Sequence, residues 1–173
     1  MKRESGFRLA ASKIVDLAEA EARARVWRGS GWTIVYTNGC FDLLHAGHVR
    51  MLEAARGQGD ALIVGMNSDE SARRVKGPGR PVICERERAE ALAALECVDL
   101  VVIFGEETSL PVLQSLRPEV WVKGGDYQMD TVNQAERAFV EEYGGRVALT
   151  EHVQGVSTSD IIARIRKLSP DCD

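Results

Sequence analysis

Apolar residues along the chain fall into two patterns, short continuous runs and longer segments with helical spacing. The short runs are rich in β-branched and aromatic residues and are bounded by glycine-rich or polar segments, which favours strands. They predict five strands, at 32–37, 61–66, 100–104, 120–122 and 146–150. The run at 61–66 is almost wholly apolar, as is typical of a parallel strand that is buried on both faces.

Segments with helical spacing lie between these runs. Asp16 and Glu19 have the spacing of a capping box and predict a helix that extends to about Trp27. Further helices are predicted at about 48–57, 85–96, 108–116, 131–143 and 157–168. The segment 67–80 is polar and basic and contains Gly-Pro-Gly, so it is predicted to be a loop.

Repeated strand–helix units predict an α/β fold with a doubly wound, mostly parallel sheet of the Rossmann-like kind. Ligands bind beyond the carboxyl ends of the strands in such folds. Three segments are therefore expected to converge: the loop after the first predicted strand, the loop after Val122, and the start of the last helix. The sequence divides into an N-terminal helical segment at 1–31, a main domain at 32–168 and a flexible tail at 169–173.

Charge and composition narrow the classes of protein that fit. The net charge of −4 argues against a nucleic-acid partner. The chain has neither an apolar run long enough to span a membrane nor an apolar stretch after its first residues, so a cytoplasmic protein without a membrane partner is expected. Its cysteines are widely spaced and are predicted to be reduced thiols: Cys40, Cys84, Cys97 and Cys172.

The segment 37–48 carries the densest candidate chemistry, because it joins a predicted strand to a helix and contains two of the three histidines. Glycines at such a junction let backbone amides approach an anion, and the helix N-terminus favours negative charge. His45 and His48 flank Gly47 and could donate hydrogen bonds to oxygens that gain negative charge at phosphorus.

Two other interpretations of these histidines stay open. They could simply satisfy the polar groups of a helix start, although two histidines in one glycine-rich loop make that less convincing. They could also bind a metal together with Cys40, but no fourth ligand is evident in the sequence. Cys40 itself has no assigned general base and is interpreted as a small buried residue of the loop.

A second candidate segment opens the last predicted helix with Ser157-Thr158-Ser159. Hydroxyl side chains at a helix start act as N-caps. The same hydroxyls and free amides would also suit a phosphate.

Together these segments resemble the cytidylyltransferase-like superfamily. His45-Ala46-Gly47-His48 is similar to its HxGH signature, and the run 155–162 is similar to its second signature, a Ser-Thr-Ser/Thr run that opens a helix. Two signatures in the right order are far more specific than one. The resemblance implies a Rossmann-like nucleotidyltransferase fold.

The middle of the chain resembles one branch of that superfamily, the heptose 1-phosphate adenylyltransferases. The resemblance extends from about 32 to 165 through four segments: 76–82, 87–89, 98–102 and 122–127. Lys-Gly-Gly-Asp-Tyr at 123–127 is its most discriminating part. The implied reaction transfers AMP from ATP to heptose 1-phosphate, giving ADP-heptose and pyrophosphate. Many such enzymes are fused to a sugar kinase, and this chain is expected to match the stand-alone version.

The resemblance also implies roles for individual residues. His45 and His48 would stabilise the α-phosphate in the transition state, and Lys76, Arg88 and Thr158 would hold the leaving pyrophosphate. The nucleotide would be bound by Thr37, Asn38, Gly39, Cys40, Phe41, Gly47, Gly124, Gly125, Asp126, Ser157, Thr158 and Ser159. The acceptor substrate would be bound by Arg80 and Lys123. Mg²⁺ would be held through the nucleotide phosphates without a protein cage, and a homodimer is expected.

Several alternatives remain at this level. Arg80 could be a solvated surface charge, and Lys123 could simply cap the end of its strand. The segment 155–160 is also similar to ethanolamine-phosphate cytidylyltransferases, although His152 and Gln154 lie where those enzymes carry an arginine. A cytidylyltransferase that makes a CDP-alcohol is therefore the second enzyme hypothesis. A nucleotide-binding module that has lost catalysis is the third, and the intact histidines argue against it.

Overall fold

One parallel sheet organises the part of the chain that the computed structural model describes, residues 8–125, 127–151, 155 and 157–168. Its strands are β1 (Ile14–Val15), β2 (Ile34–Gly39), β3 (Ala61–Asn67), β4 (Leu100–Phe104), β5 (Val120–Gly124) and β6 (Arg146–Thr150). They lie in the order β1-β4-β3-β2-β5-β6, and every neighbouring pair is parallel. The predicted α/β fold with a doubly wound parallel sheet is confirmed.

Helices connect the strands. They are α1 (Leu17–Gly29), α2 (Ala46–Arg56), α3 (Asp69–Lys76), α4 (Glu85–Ala94), α5 (Leu110–Leu116), α6 (Gln134–Glu142) and α7 (Thr158–Leu168), and a 3-10 helix (Ala10–Lys13) precedes β1. No helix in the described ranges is both long and apolar enough to cross a membrane.

Two elements differ from the sequence predictions. The predicted loop 67–80 contains α3, which begins where the Ser68 hydroxyl accepts a hydrogen bond from the Ser71 amide at 3.1 Å. Its first turn is acidic and its last turn is basic, an arrangement that favours the helix dipole. The strand β1 was not predicted, since two residues carry no periodic signal, and it adds to the sheet by pairing with β4.

The core forms two layers because successive strand residues point to opposite faces. On β2, Ile34 and Tyr36 pack in the layer that includes residues of α1, α5 and α6. Val35, which lies between them, packs in the other layer with residues of α2 and α4. Helices therefore cover both faces, as the near-continuous apolar runs of β3 and β4 indicated.

The N-terminal segment attaches to this sheet. The Asp16 carboxylate accepts a hydrogen bond from the Glu19 amide at 2.8 Å and begins α1, and β1 pairs with β4 at Ile14 and Val101. The division of the chain near Gly31 stays a prediction.

The topology places a cleft beside β2. From β2 the chain proceeds through β3 and β4 on one side, and β5 and β6 lie on the other side. Loops leaving β2 and β5 therefore diverge at a switch point, where parallel α/β sheets bind ligands. The close packing there requires Gly124, because a Cβ at this position would lie 2.1 Å from Cγ of Met51 and 2.9 Å from Oγ1 of Thr150.

Candidate active site

A cavity of about 600 Å³ lies beyond the carboxyl ends of the strands. Its walls come from the loops after β2 and β5, the end of α3 and the start of α7. The three segments that the sequence predicted to converge therefore do so. The volume is within the range of pockets that bind small organic ligands.

Most of the predicted site residues line this cavity. They are Asn38, Gly39, Cys40, Phe41, His45, Gly47, His48, Lys76, Arg80, Lys123, Gly124, Gly125, Ser157, Thr158 and Ser159. Thr37 and Arg88 are not among the lining residues. Asp126 lies outside the described residues, as do His152 and Gln154.

The two histidines stack on each other at the start of α2. Their ring centroids are 3.8 Å apart with planes 22° from parallel. His45 is the N-cap of α2, and its Nδ1 accepts a long hydrogen bond of 3.4 Å from the His48 amide. That acceptor role leaves the proton of a neutral His45 ring on Nε2. His45 thus does satisfy a polar group at the helix start, as one of the interpretations held, and it also lines the cavity.

Burial keeps both imidazoles neutral. The pKa of His48 is lowered to about 4, mainly by burial; the charge of the neighbouring His45 adds to this shift, and a hydrogen bond to the Leu43 backbone opposes it. Burial likewise lowers the pKa of His45. Near neutral pH each ring therefore carries one N–H and no positive charge of its own.

Asp42 anchors the loop that follows α3, a role that the sequence did not reveal. Its buried carboxylate accepts hydrogen bonds from the amides of Val82 (2.8 Å) and Ile83 (3.1 Å) and pairs with Nε of Arg80 at 2.6 Å. Arg80 therefore lines the cavity while it is tied to the β2 loop, so it is not a freely solvated charge. The residue before Asp42, Phe41, has a φ of 46°, which turns this loop sharply.

Arg88 is not among the residues that line the cavity, and its predicted contact with the leaving pyrophosphate stays a prediction. Its side chain is 0% exposed. The guanidinium donates to the carbonyl oxygens of Ile83 (3.0 Å) and Cys40 and to the Asp69 carboxylate at 2.7 Å. With its donors directed at these groups, Arg88 joins the β2 loop, α3 and α4.

Thr37 is also enclosed, at 1% exposure, and its hydroxyl points towards Sδ of Met51 at 3.8 Å. It supports α2 and does not reach the cavity. Cys40 does line the cavity, where its thiol donates to Oδ1 of Asn67 at 3.6 Å. Burial raises the pKa of the Cys40 thiol, which opposes the thiolate that a nucleophile or metal ligand requires.

Lys123 is a buried ammonium at the end of β5. Its Nζ donates to Oδ1 of Asn38 at 3.3 Å and lies 5.6 Å from the ring centroid of Trp121 and 4.8 Å from that of Tyr127. Burial lowers the pKa of Lys123, and the negative charge of Glu136 opposes that shift. Lys123 thus faces the cavity and does more than cap its strand.

The serine-rich helix start has the N-cap contacts that the sequence predicted, and phosphate binding there stays a prediction. The Ser157 hydroxyl accepts from the Asp160 amide at 3.1 Å and donates to the Asp160 carboxylate at 2.7 Å, which is an N-cap arrangement. Thr158 and Ser159 line the cavity with it.

Comparisons with known proteins agree with this geometry. Residues 36–164 match the cytidylyltransferase-like family. The bifunctional protein HldE of Syntrophotalea carbinolica is 56% identical over 140 residues, which cover 81% of this chain and 28% of that protein. HldE of Methylobacillus flagellatus is 51% identical over 155 residues, which cover 90% of this chain and 31% of that protein. The chain thus spans about three tenths of the length of these relatives.

Solved structures support the fold. The lipopolysaccharide core biosynthesis protein from Thermoplasma volcanium is similar with a TM-score of 0.59 and 25% identity, over 71% of this chain and 98% of that one. Pantoate-beta-alanine ligase from Francisella tularensis, at a TM-score of 0.60 and 14% identity, shares the fold over 88% of this chain and 76% of that one. The family match over residues 36–164 contains most of β2, the strands β3 to β6, the stacked histidines and the serine-rich helix start. The chain therefore belongs to the cytidylyltransferase-like family.

Proposed function

We propose that this chain is a nucleotidyltransferase that transfers AMP from ATP to heptose 1-phosphate and releases pyrophosphate. The observation that carries the proposal is the convergence of His45, His48, Lys76 and Thr158 on one cavity at the switch point of the sheet. The adenylyl and heptose assignments rest on the segments 76–82 and 122–127. High identity to relatives that are themselves named bifunctional is consistent with a nucleotidyltransferase unit that also occurs fused to a second activity.

The reaction needs no covalent enzyme intermediate. An oxygen of the sugar phosphate attacks the α-phosphorus, the bond from that phosphorus to the bridging oxygen breaks, and pyrophosphate leaves with the electron pair. The N–H groups of His45 and His48 would donate to the α-phosphate oxygens as their charge changes. Because the rings are already partly buried and stacked on each other, little reorganisation is needed in the transition state.

Lys76 and the start of α7 would hold the leaving group. Lys76 is the last residue of α3 and supplies a positive charge to the cavity wall. Thr158 lies in the first turn of α7, where free amides favour a phosphate. Arg88 is assigned a positioning role in this scheme, since it orients the loop that carries Cys40.

Mg²⁺ is expected to accompany the nucleotide. Within the described residues, no group of three His, Cys, Asp or Glu side chains could hold a metal ion. The Asp42 carboxylate is occupied by Arg80 and two amides. We therefore expect the ion to be bound mainly through phosphate oxygens and water. When bound, it would neutralise part of the phosphate charge.

Pyrophosphate release is the experiment that tests the proposal. ATP and CTP would each be paired with heptose 1-phosphate, glycerol 3-phosphate and phosphoethanolamine in the presence of Mg²⁺. Release only with ATP and heptose 1-phosphate is expected. Release only with CTP would retain the mechanism and overturn the substrate, and no release in any pairing would favour a binding module without catalysis.

His48→Ala provides the mechanistic control. Loss of one donor to the reacting phosphate is expected to lower kcat by roughly 100- to 1000-fold, while nucleotide binding persists. An unchanged kcat would contradict the role of His48. The expected homodimer also stays a prediction, and sedimentation equilibrium of the native chain would test it.

A further inference from the structure

Glu136 is a buried carboxylate in the cavity wall to which the sequence assigned no role. It lies in the first turn of α6, is 3% exposed and lines the cavity. Its Oε1 accepts hydrogen bonds from the amide and the hydroxyl of Ser109, at 2.5 and 2.9 Å. Among the described residues, no donor is bonded to its Oε2. Since Glu136 lines the cavity, Oε2 is the carboxylate oxygen that is left to accept a hydrogen bond from a ligand there.

The ammonium of Lys123 lines the same cavity as this carboxylate. The charge of Glu136 acts on Lys123. In the described part of the chain, however, the two side chains form no ion pair, and the hydrogen bond that Nζ makes goes to Asn38. The ammonium has three N–H donors, and the aromatic rings of Trp121 and Tyr127 hold it from the sides. An acceptor and a donor therefore face the same part of the cavity with a gap between them.

A hydroxyl group fits this arrangement, because its oxygen can donate one hydrogen bond and accept another at the same time. A phosphate would be attracted by Lys123 but repelled by Glu136, and a metal ion would be repelled by Lys123. We propose that Glu136 and Lys123 form a subsite that binds one hydroxyl of a sugar ring, which donates to Oε2 of Glu136 and accepts from Nζ of Lys123. This inference rests on the proposed function for the sugars it names, the ribose of the nucleotide or the heptose of the acceptor.

Glu136→Gln is the variant that tests the subsite. The amide oxygen can still accept from Ser109, so the α5–α6 contact is kept. The amide nitrogen replaces Oε2 and cannot accept the hydroxyl proton. Glu142→Gln, at an exposed glutamate of the same helix, is the matched control.

Two series of ligands identify the hydroxyl. One contains ATP, 2′-deoxy-ATP, 3′-deoxy-ATP and purine riboside triphosphate, which lacks the amino group of adenine. The other contains heptose 1-phosphate and analogues that each lack one ring hydroxyl. Equilibrium binding is measured for every compound and kcat/KM for every productive pair. Binding is informative even if no pair turns over, which separates failure of the subsite from failure of the proposed function.

For one deoxy analogue, the native chain is expected to show a loss of roughly 10- to 100-fold, the size of a hydrogen bond to a charged group. Glu136→Gln should lose a similar factor with the parent compound and no longer discriminate against that analogue. If the affected analogue lacks a ribose hydroxyl, the subsite binds the nucleotide. If it lacks a heptose hydroxyl, the subsite binds the acceptor. The proposal is overturned if Glu136→Gln discriminates against every deoxy analogue as strongly as the native chain does. It is also overturned if the variant loses discrimination only against purine riboside triphosphate.

Discussion

Replacement of Arg88 by Met separates a structural role from direct contact with pyrophosphate. The guanidinium is wholly enclosed and donates to the carbonyls of Ile83 and Cys40 and to Asp69. Met keeps much of the volume but supplies no donor. The two carbonyls then lose their partner inside the protein, while the Asp69 carboxylate, which is 33% exposed, can be hydrated.

The expected cost follows from these contacts. Each partly buried carbonyl that loses a charged donor costs about 1–2 kcal/mol, and the exposed carboxylate adds less. Arg88→Met should therefore lower the free energy of unfolding by roughly 2–4 kcal/mol. With an m-value of about 2 kcal/mol per molar urea, the unfolding midpoint should fall by roughly 1–2 M.

Urea unfolding followed by circular dichroism measures the midpoint, with Arg86→Met as the control at an exposed position of the same helix. Equilibrium binding of ATP and AMP gives the second readout. If Arg88 only positions the loop, the affinities for ATP and for AMP should fall by a similar factor in Arg88→Met. An unchanged midpoint together with a selective loss of ATP affinity would refute the structural role and restore direct contact with pyrophosphate.

Two further predictions concern packing and pH. Gly124→Ala should lower the free energy of unfolding by roughly 1–3 kcal/mol, because the added Cβ would overlap Met51. The control is Gly105→Ala, where an added Cβ meets no atom within 4 Å, so the urea midpoint should stay unchanged. Equal midpoints for the two variants would contradict the packing at Gly124. His48 has a pKa of about 4 in the folded chain and about 6.5 when unfolded, so the unfolded state takes up its proton first as pH falls. Stability should therefore decline from about pH 6.5 to 4, by ~3 kcal/mol from this group. His48→Gln should show a shallower decline in urea titrations, and an identical slope would contradict the assigned burial.

The strands of the central sheet could be predicted because burial on both faces leaves an unbroken apolar run. The bounds of β4 and β6 match the prediction fully, and β3 extends the predicted run by one residue, Asn67. The helix α3 was missed because only Ala72 and Val75 are apolar in it, so the periodic signal is weak. Its acidic start and basic end, together with Ser68 before it, were signals that could have indicated a helix.

The candidate site could be predicted as far as local motifs describe it. The histidine segment and the serine-rich helix start are each a short continuous stretch of sequence. Their convergence follows from the sheet topology. The contacts of Asp42, Arg88 and Glu136 could not be predicted, because their partners lie far along the chain or on another element. Whether a charged side chain faces the cavity or a neighbouring carbonyl depends on long-range packing, which spacing does not encode.

The central claim is that an oxygen of a sugar phosphate attacks the α-phosphorus of ATP. Heptose 1-phosphate labelled with ¹⁸O at its non-bridging oxygens, incubated with ATP, Mg²⁺ and the native chain, tests it by mass spectrometry of the products. The account predicts ADP-heptose that retains all of the label and pyrophosphate that contains none. Labelled pyrophosphate, or ATP consumed without formation of a labelled nucleotide sugar, would contradict it.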